Sequence, residues 1–396
     1  MSEASIKTTA VTRWNAGVSA PSSTRLWLLM AVQASAGLAL LLMLWQWLIH
    51  SDSLSPSLYQ TLMPIALLAA SIIVSRLANR QQRFAAASVS FMVSSIAAIA
   101  MLSQLDTPGN IHAAFWLQVV AAWCLAWACV EQLAAIDSLS QIIRTGLDLL
   151  IPLLFGAWLL ILWELLTRGF DVPQVLLPAP SVIADRFVDS TTVLWADFKQ
   201  TFLKSVLIGY FIGCSTGLLV AVLIDRSPFL QRGLLPVGNL VSALPIVGVA
   251  PIMVMWFGFD WQSKAAVVII MTFFPMLVNA VAGLAAAEPV QHDLMKTYAA
   301  SYWQRLFKLR IPQALPFIFN ALKINSTLAM IGAIVAEFFG TPTVGMGFRI
   351  STEVGRMNVD MVWAEIAVAA LAGSLFYGVI ALVERMLTFW HPSFRR

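Results

Sequence analysis

The chain has 396 residues, of which 59% are hydrophobic and only 11% are charged, and its net charge is +4. Soluble domains carry about 25% charged residues, so this composition excludes an ordinary soluble protein. Because the total charge is small, the positions of Lys and Arg relative to the apolar segments carry more information than their sum. The sequence therefore predicts a polytopic membrane protein.

Long apolar segments recur along the whole chain. A helix that crosses the hydrocarbon core needs about 20 mostly apolar residues. Ten segments meet this requirement, at 26–49, 58–75, 84–105, 112–130, 149–166, 202–224, 234–257, 264–287, 314–336 and 361–384. We therefore predict an all-α fold with about ten transmembrane helices.

The basic residues are distributed unevenly between the two sides of these segments. If the N-terminus is cytoplasmic, 16 of the 24 Lys and Arg residues fall in cytoplasmic loops, 7 fall outside and Lys323 lies within a span. Basic residues concentrate on the cytoplasmic side of membrane proteins. This split predicts that both termini, and the segment from Asp293 to Pro316, are cytoplasmic.

The chain changes character near residue 148. Residues 1–148 hold four predicted spans with short loops, whereas prolines interrupt the spans that follow, including Pro245 and Pro251 in the seventh. A broken helix frees backbone groups that lipid cannot satisfy, so it should face other helices or a water-filled path. A packing kink without a transport role is the alternative.

Polar residues in the ninth apolar segment and at its far end are further candidates for a transport path. Lys323 and Asn325 lie in the ninth span and Glu337 lies at its far end, and such residues usually face the interior of a helix bundle. Lys323 could instead extend to a lipid phosphate. Gly340, Gly345 and Gly347 after the span predict a bent, closely packed loop.

A second glycine pattern lies in the sixth span. Gly209, Gly213 and Gly217 recur every four residues and predict a face on which another helix packs closely. Cysteine and histidine are too scattered to predict a metal site.

The stretch "DLMKTYAASYWQRLFKLRIPQALP" (Asp293 to Pro316) is basic and lies between two apolar segments. Leu294, Tyr298 and Tyr302 recur every four residues, and an adjacent stripe includes Met295 and Trp303, which predicts one short amphipathic helix. Such a helix could lie in the lipid headgroup layer or insert into a groove on a cytoplasmic partner. Periodicity does not separate these alternatives.

The same stretch resembles the cytoplasmic "EAA" loop of binding-protein-dependent ABC importer permeases. Asp293 stands at the position of the family's Glu, Ala299 at that of its Gly, and 309–312, ending in Pro312, at that of its I-x-L-P ending. The alanines that follow the Glu are replaced. If the glycine position requires a left-handed conformation, Ala299 costs about 1 kcal/mol there.

Further motifs extend the resemblance over residues 149–396. They are Trp163-Glu164, "LLPAPS" (Leu176 to Ser181), "MWFGFDWQSK" (Met255 to Lys264), "FFPMLVNAVAGL" (Phe273 to Leu284) and "GAIVAEFFG" (Gly332 to Gly340). They are similar to the nitrate/taurine/sulfonate branch of these permeases. The resemblance implies a type I importer permease core of about six helices, preceded by a four-helix extension at 1–148.

The resemblance also implies how the protein works and with what. The family pairs each permease with a second one, the same or homologous chain, in a bacterial inner membrane. Two ATPase subunits and an extracytoplasmic solute-binding protein complete the complex. The loop would dock on the ATPase, and we assign this contact to Tyr298, Ala299, Ala300, Ser301 and Trp303. Arg305 and Lys308 would either adjust it electrostatically or simply be solvated.

The energy source must lie on another chain. This sequence contains no Gly-Lys dipeptide and therefore no P-loop, so we expect no cofactor here, with ATP and Mg on the partner ATPase. The expected substrates are small solutes of the pyrimidine-precursor, sulfonate or nitrate class, and no nucleic acid. The main alternative is an ion-driven secondary transporter, which the lack of internal repeats and of mid-span carboxylates disfavours. A membrane enzyme lacks motif support.

Overall fold

The computed structural model of the chain describes residues 27, 30–39, 41–42, 58–76, 83–105, 113–134, 141–227, 229–230, 232–233, 236, 245–340 and 343–390. Throughout these ranges the regular secondary structure is helical, and none of it is strand. This confirms the prediction of an all-α fold.

Apolar helices occur at all ten predicted segments. Within the described residues, seven helices are long and apolar enough to cross a membrane. They are Phe84–Leu105, Ala113–Ala134, Gly146–Gly169, Thr191–Arg226, Trp261–Leu284, Tyr302–Glu337 and Val359–Leu387. Three shorter apolar helices, Met30–Ala39, Leu62–Val74 and Val247–Phe257, lie within the other three segments. Residues 43–49 of the first segment and 237–244 of the seventh fall outside the described ranges.

The chain divides into two compact units, Met1–Pro173 and Gln174–Arg396. Unit 1 contains α1 (Met30–Ala39), α2 (Leu58–Arg76), α3 (Arg83–Leu105), α4 (Ala113–Ala134) and α5 (Gln141–Gly169). Helix α5 thus packs with the first four helices, whereas the sequence places the permease domain from residue 149. That assignment follows the family resemblance and remains a prediction.

Small residues bring the helices of unit 1 close together. Ala97, Ala121 and Ala122 are fully buried in its core. Ser90 is buried too, and its hydroxyl donates to the Ala86 carbonyl at 2.9 Å, so the polar group is satisfied within its own helix. The unit is held by close packing of helix backbones, as is usual in membranes.

Unit 2 is built around one long central helix. Its elements begin with α6 (Pro180–Asp189), α7 (Thr191–Phe198), a π-helical stretch (Lys199–Val206), α8 (Leu207–Arg226), α9 (Ile246–Phe257) and α10 (Trp261–Leu284). They continue with α11 (Pro289–Thr297), α12 (Tyr302–Arg305), a second π-helical stretch (Leu306–Arg310), α13 (Ile311–Glu337), α14 (Met346–Gly355) and α15 (Val359–Leu387). Helix α10 packs extensively against both α8 and α13.

The glycine face of α8 explains the contact with α10. A β-carbon at Gly213 would lie 2.1 Å from the Thr272 hydroxyl oxygen and 2.8 Å from the Ile269 carbonyl oxygen. A β-carbon at Gly209 would lie 2.7 Å from the Ala265 carbonyl oxygen. These approaches are possible only without a side chain. The close-packing face predicted from the glycine spacing is confirmed.

Helix α13 carries prolines near its start, and a π-helical stretch precedes it. Pro312 is in its first turn and Pro316 lies inside it. A proline ring displaces the carbonyl four residues earlier, and wider π-helical turns accommodate such breaks. The chain therefore continues from the short helix at Tyr302–Arg305 into α13 without an intervening loop.

Candidate functional site

The segment with the loop motif forms two short helices. Helix α11 ends at Thr297, and α12 begins after Ser301. The Ser301 hydroxyl accepts from the Gln304 amide at 3.4 Å, while the Gln304 side chain accepts from the Ser301 amide at 2.8 Å. This capping box fixes the start of α12. The prediction of one amphipathic helix was wrong, because the chain breaks at residues 298–301 and the break interrupts both stripes.

The break is centred on Ala299, whose φ is +50°. Its amide donates to the Lys296 carbonyl at 2.8 Å, and the Ala300 amide donates to the Met295 carbonyl at 3.0 Å, so the end of α11 is closed by a left-handed turn. The position where the family has a glycine therefore does adopt a left-handed conformation in this chain. An alanine occupies a conformation that glycine adopts without strain.

Four large apolar side chains project from this segment. Tyr298 is 77% exposed, Leu294 57%, Trp303 54% and Phe307 61%. The Trp303 and Phe307 rings stack with centroids 6.0 Å apart. We call the segment Pro289–Arg310 the coupling segment. It carries four exposed apolar side chains within 14 residues, and clustered exposed apolar groups mark interaction sites.

Of the residues assigned to the contact, Ala299 and Ser301 are also exposed, and Ala300 is partly buried. Asp293 is exposed and pairs with Lys296 at 3.0 Å within α11. Tyr302, part of the predicted stripe, turns inward instead.

An ion cluster ties the coupling segment to unit 2. Asp225 at the end of α8 accepts from the Arg310 guanidinium and from the Tyr302 hydroxyl, the latter at 3.2 Å. Arg310 also donates to the Leu284 carbonyl at 3.1 Å. The end of α8, the end of α10 and the start of α13 therefore meet at one guanidinium. Sequence reasoning missed Asp225 and Arg310, because no spacing links residues 85 positions apart.

The predicted path residues do not come together. Lys323 forms an ion pair with Glu384 of α15 at 2.7 Å, and the two side chains are 21% and 8% exposed. Asn325 is fully buried, and its amide donates to the Thr272 carbonyl at 2.7 Å and to the Cys214 sulfur at 3.2 Å. These contacts join helices in the interior.

The two prolines lie on α9. Pro245 is exposed and precedes its first turn, and Pro251 lies inside it.

Glu337 belongs to a buried polar cluster at the far end of α13. Its carboxylate accepts from the Thr201 hydroxyl at 2.8 Å and from the Gly347 amide at 2.7 Å. Asp197, also buried, accepts from the Gly345 amide at 2.6 Å and from Arg349 at 2.9 Å. The two carboxylates thus fasten the loop before α14 onto the ends of α7 and α13. We call these residues the far-end cluster.

Tight backbone geometry makes the far-end cluster possible. Gly340 and Gly345 have φ of +148° and +143°, and a β-carbon at Gly347 would lie 2.2 Å from the Ile334 carbonyl oxygen. The predicted bent, closely packed loop is confirmed. Lys264 is 2% exposed and donates to the carbonyls of Phe259, at 2.6 Å, and of Gly340. Asp197, Thr201, Lys264 and Arg349 were missed because they are polar residues of separate elements.

Comparison with known proteins identifies the family. Residues 205–390 match the model described as "Binding-protein-dependent transport system inner membrane component". The chain is 31% identical over 242 residues to the formylaminopyrimidine transport permease protein ThiX of Halalkalibacterium halodurans, covering 61% of this chain and 96% of that protein.

Two further permeases show the same extent of similarity. The riboflavin transport system permease protein RibX of Chloroflexus aurantiacus is 30% identical, with 59% of this chain and 88% of that protein covered. The taurine transport system permease protein TauC of Escherichia coli is 28% identical, with 59% and 87% covered. The chain therefore belongs to the binding-protein-dependent ABC importer permeases, in their nitrate/taurine/sulfonate branch.

Proposed function

We propose that the chain is the membrane-spanning permease subunit of an ATP-driven importer, and that its coupling segment docks on an ATPase subunit. The observation that carries this proposal is the exposed apolar surface of Tyr298, Leu294, Trp303 and Phe307 on a segment tied into unit 2. Exposed aromatic side chains on a rigid support are typical anchors of a protein interface. A headgroup contact would not need the Asp225 cluster behind it.

The same cluster supports transmission of movement. Arg310 joins the coupling segment to α8 and α10, and α13 continues from it without an intervening loop. A shift of the docked segment therefore moves helix ends in the interior of unit 2. In this proposal two ATPase subunits carry the ATP and Mg, and a second permease chain and an extracytoplasmic binding protein complete the importer.

We infer a bacterial inner membrane location with both termini cytoplasmic, from the family and from the distribution of basic residues. Reporter fusions after Gln82 and Gln304 should behave as cytoplasmic, and fusions after Gly109 and Gln262 as external. An external signal at Gln304 would reverse the arrangement and would remove the coupling segment from the ATPase side.

The substrate class that we infer is a small heterocyclic solute of the pyrimidine-precursor type. Support comes from two relatives of 30% identity or more, whose names specify formylaminopyrimidine and riboflavin. Sulfonates and nitrate are the competing class, since the taurine permease is 28% identical. Ligand binding by the cognate binding protein tests this, and selective binding of a sulfonate would exclude the heterocycle.

Docking is tested by placing charge on the proposed contact. We expect Tyr298→Glu with Ala299→Glu to abolish co-purification of the ATPase and ATP-dependent uptake, because an unpaired charge in a buried contact costs several kcal/mol. Both residues are exposed in the chain alone, so insertion and folding should persist. The matched control is Val354→Glu, an exposed apolar residue of α14 that should retain the ATPase. Retention by the double variant would refute the docking assignment.

The first four helices lie outside the matched family region. We propose that residues 1–148 form an accessory bundle rather than part of the transport path. A protein beginning near residue 140 should then insert, bind its ATPase and keep part of its transport. If it binds the ATPase and transports nothing, the four helices belong to the transport machinery.

A further inference from the structure

A cavity of about 240 Å³ lies beside the coupling segment in unit 2. Six residues line it, and all of them are polar or charged: Asp225, Arg226, His292, Tyr302, Arg305 and Arg310. They come from α8, α11, α12 and the π-helical stretch before α13. Since one water needs about 10–15 Å³ of such a cavity, this one has room for several waters, or for a tetrahedral anion with part of its hydration shell.

The lining is strongly biased towards positive charge. Three arginines face one carboxylate, that of Asp225. One oxygen of Asp225 accepts both from Arg310 and from the Tyr302 hydroxyl, so the carboxylate is engaged by Arg310. Arg226 and Arg305 form no ion pair among the described residues. The cavity thus retains two guanidinium groups without a balancing anion.

The two groups have different surroundings. The Arg226 guanidinium lies 5.7 Å from the centroid of the Tyr302 ring, and the hydroxyl of that ring is fixed by Asp225. The Nε atom of Arg305 is buried and has no hydrogen-bond partner in the described part of the chain. A buried donor left unpaired is unfavourable, and an acceptor entering the cavity would satisfy it.

We propose that this cavity binds a phosphate-class anion, either the headgroup of an anionic phospholipid or free inorganic phosphate. Arginine is suited to this chemistry, because its planar fork of N–H groups matches phosphate oxygens and its charge is permanent. The bound anion joins Arg226 on α8 to Arg305 on the coupling segment. It therefore strengthens the attachment between the coupling segment and the interior helices.

The test uses the purified full-length chain in lipid nanodiscs. In the first arm, discs of phosphatidylcholine alone are titrated with inorganic phosphate, and heat release and thermal unfolding are followed. In the second arm, phosphatidylglycerol is added to the discs, and lipid retained by the released protein is measured by native mass spectrometry. Each arm compares two double variants. The cavity variant combines Arg226→Gln and Arg305→Gln, and the control variant combines Lys308→Gln and Arg385→Gln. The control loses the same charge at two exposed residues that do not line the cavity.

We expect saturable binding in one arm, weakened roughly tenfold or more in the cavity variant and unchanged in the control. Binding in the first arm identifies free phosphate, and retention in the second identifies a lipid headgroup. Equal loss in cavity variant and control would show non-specific charge attraction and would overturn the proposal. Absence of binding in both arms would also overturn the proposal. If the two arginines then proved necessary only for ATPase co-purification, they would be assigned to a carboxylate of the partner.

The outcome is independent of the docking assignment, because phosphate binding is measured on the chain without its ATPase. A docking failure with Tyr298→Glu and a binding failure with Arg226→Gln and Arg305→Gln are therefore separate results.

Discussion

The two ends of α13 carry ion clusters that differ in how they are closed. At the far end, Glu337 and Asp197 are 2% and 0% exposed and accept hydrogen bonds from the backbone amides of Gly347 and Gly345, at the start of α14. At the coupling end, the side chains of Asp225 and Arg310 are 10% and 20% exposed and border a cavity of about 240 Å³. One end of the same helix is sealed, and the other is open to solvent and ligands.

The two ends also differ in their donors, because the far end adds backbone amides to its side-chain donors Thr201 and Arg349. A backbone amide cannot withdraw from a carboxylate unless the loop that carries it changes conformation, so the far-end cluster fixes its loop. The donors at the coupling end are the side chains of Arg310 and Tyr302, which can reorient about their rotatable bonds. The sealed end is therefore suited to hold α13 in place, and the open end to transmit a change.

The largest expected effect is at the sealed end. Replacing Glu337 with Ala removes the carboxylate that the Thr201 hydroxyl and the Gly347 amide bind and that lies near the buried Lys264. Removing one partner of a buried charged pair costs about 3–5 kcal/mol of folding free energy. We expect a large drop in the unfolding temperature in detergent. Asp189→Asn, at an exposed carboxylate, is the control and should unfold like the wild type. Equal unfolding temperatures for the two variants would contradict the comparison.

The open end should show a smaller effect. We expect a double-mutant cycle of Asp225→Asn and Arg310→Gln to give a coupling energy of about 1–3 kcal/mol, the range for contacting groups in one network. Partial exposure of both side chains keeps the value below that at Glu337. The cycle is measured by unfolding of the purified chain. A coupling energy above the loss at Glu337 would reverse the order of the two ends.

A third prediction concerns the turn within the coupling segment. Ala299→Gly should stabilise this turn by about 1 kcal/mol, because φ is +50° there and glycine adopts this conformation without a β-carbon penalty. Hydrogen exchange of the amides from Tyr298 to Ser301 measures the local effect, which should appear as slower exchange. Ala300→Gly is the matched control, since Ala300 has no positive φ, and it should not slow exchange. Faster exchange in Ala299→Gly would show that the turn is not strained.

The smallest effect is expected for the exposed pair on α11. Lys296 and Asp293 have side chains 65% and 71% exposed, at a distance of 3.0 Å. Exposed ion pairs contribute about 0–1 kcal/mol. Lys296→Gln should leave the unfolding temperature within error of the wild type. A loss comparable to that of Arg310→Gln would mean that burial does not determine the strength of these pairs.

Much of the fold was predictable because lipid imposes simple rules on sequence. Runs of about 20 apolar residues located the helices, and the four-residue spacing of Gly209, Gly213 and Gly217 identified the face that packs on α10. The coupling segment was found from its motif, but its shape was not. The helical periodicity across 294–303 did not reveal the left-handed turn at Ala299. The only indication of this turn was that the family has a glycine at the matching position.

The sequence by itself determined that this protein is all-helical, that its helices recur at ten places and that residues 293–312 form a loop of the importer type. These properties depend on composition and on patterns within about 25 residues. Only the tertiary structure decided which polar residues meet. Asp225 lies 85 positions from Arg310, and Thr201 lies 136 positions from Glu337. Their pairing follows from the packing of α8, α10 and α13. No local pattern encodes it, because the carboxylates of Asp225 and Glu337 accept from residues far away in the sequence.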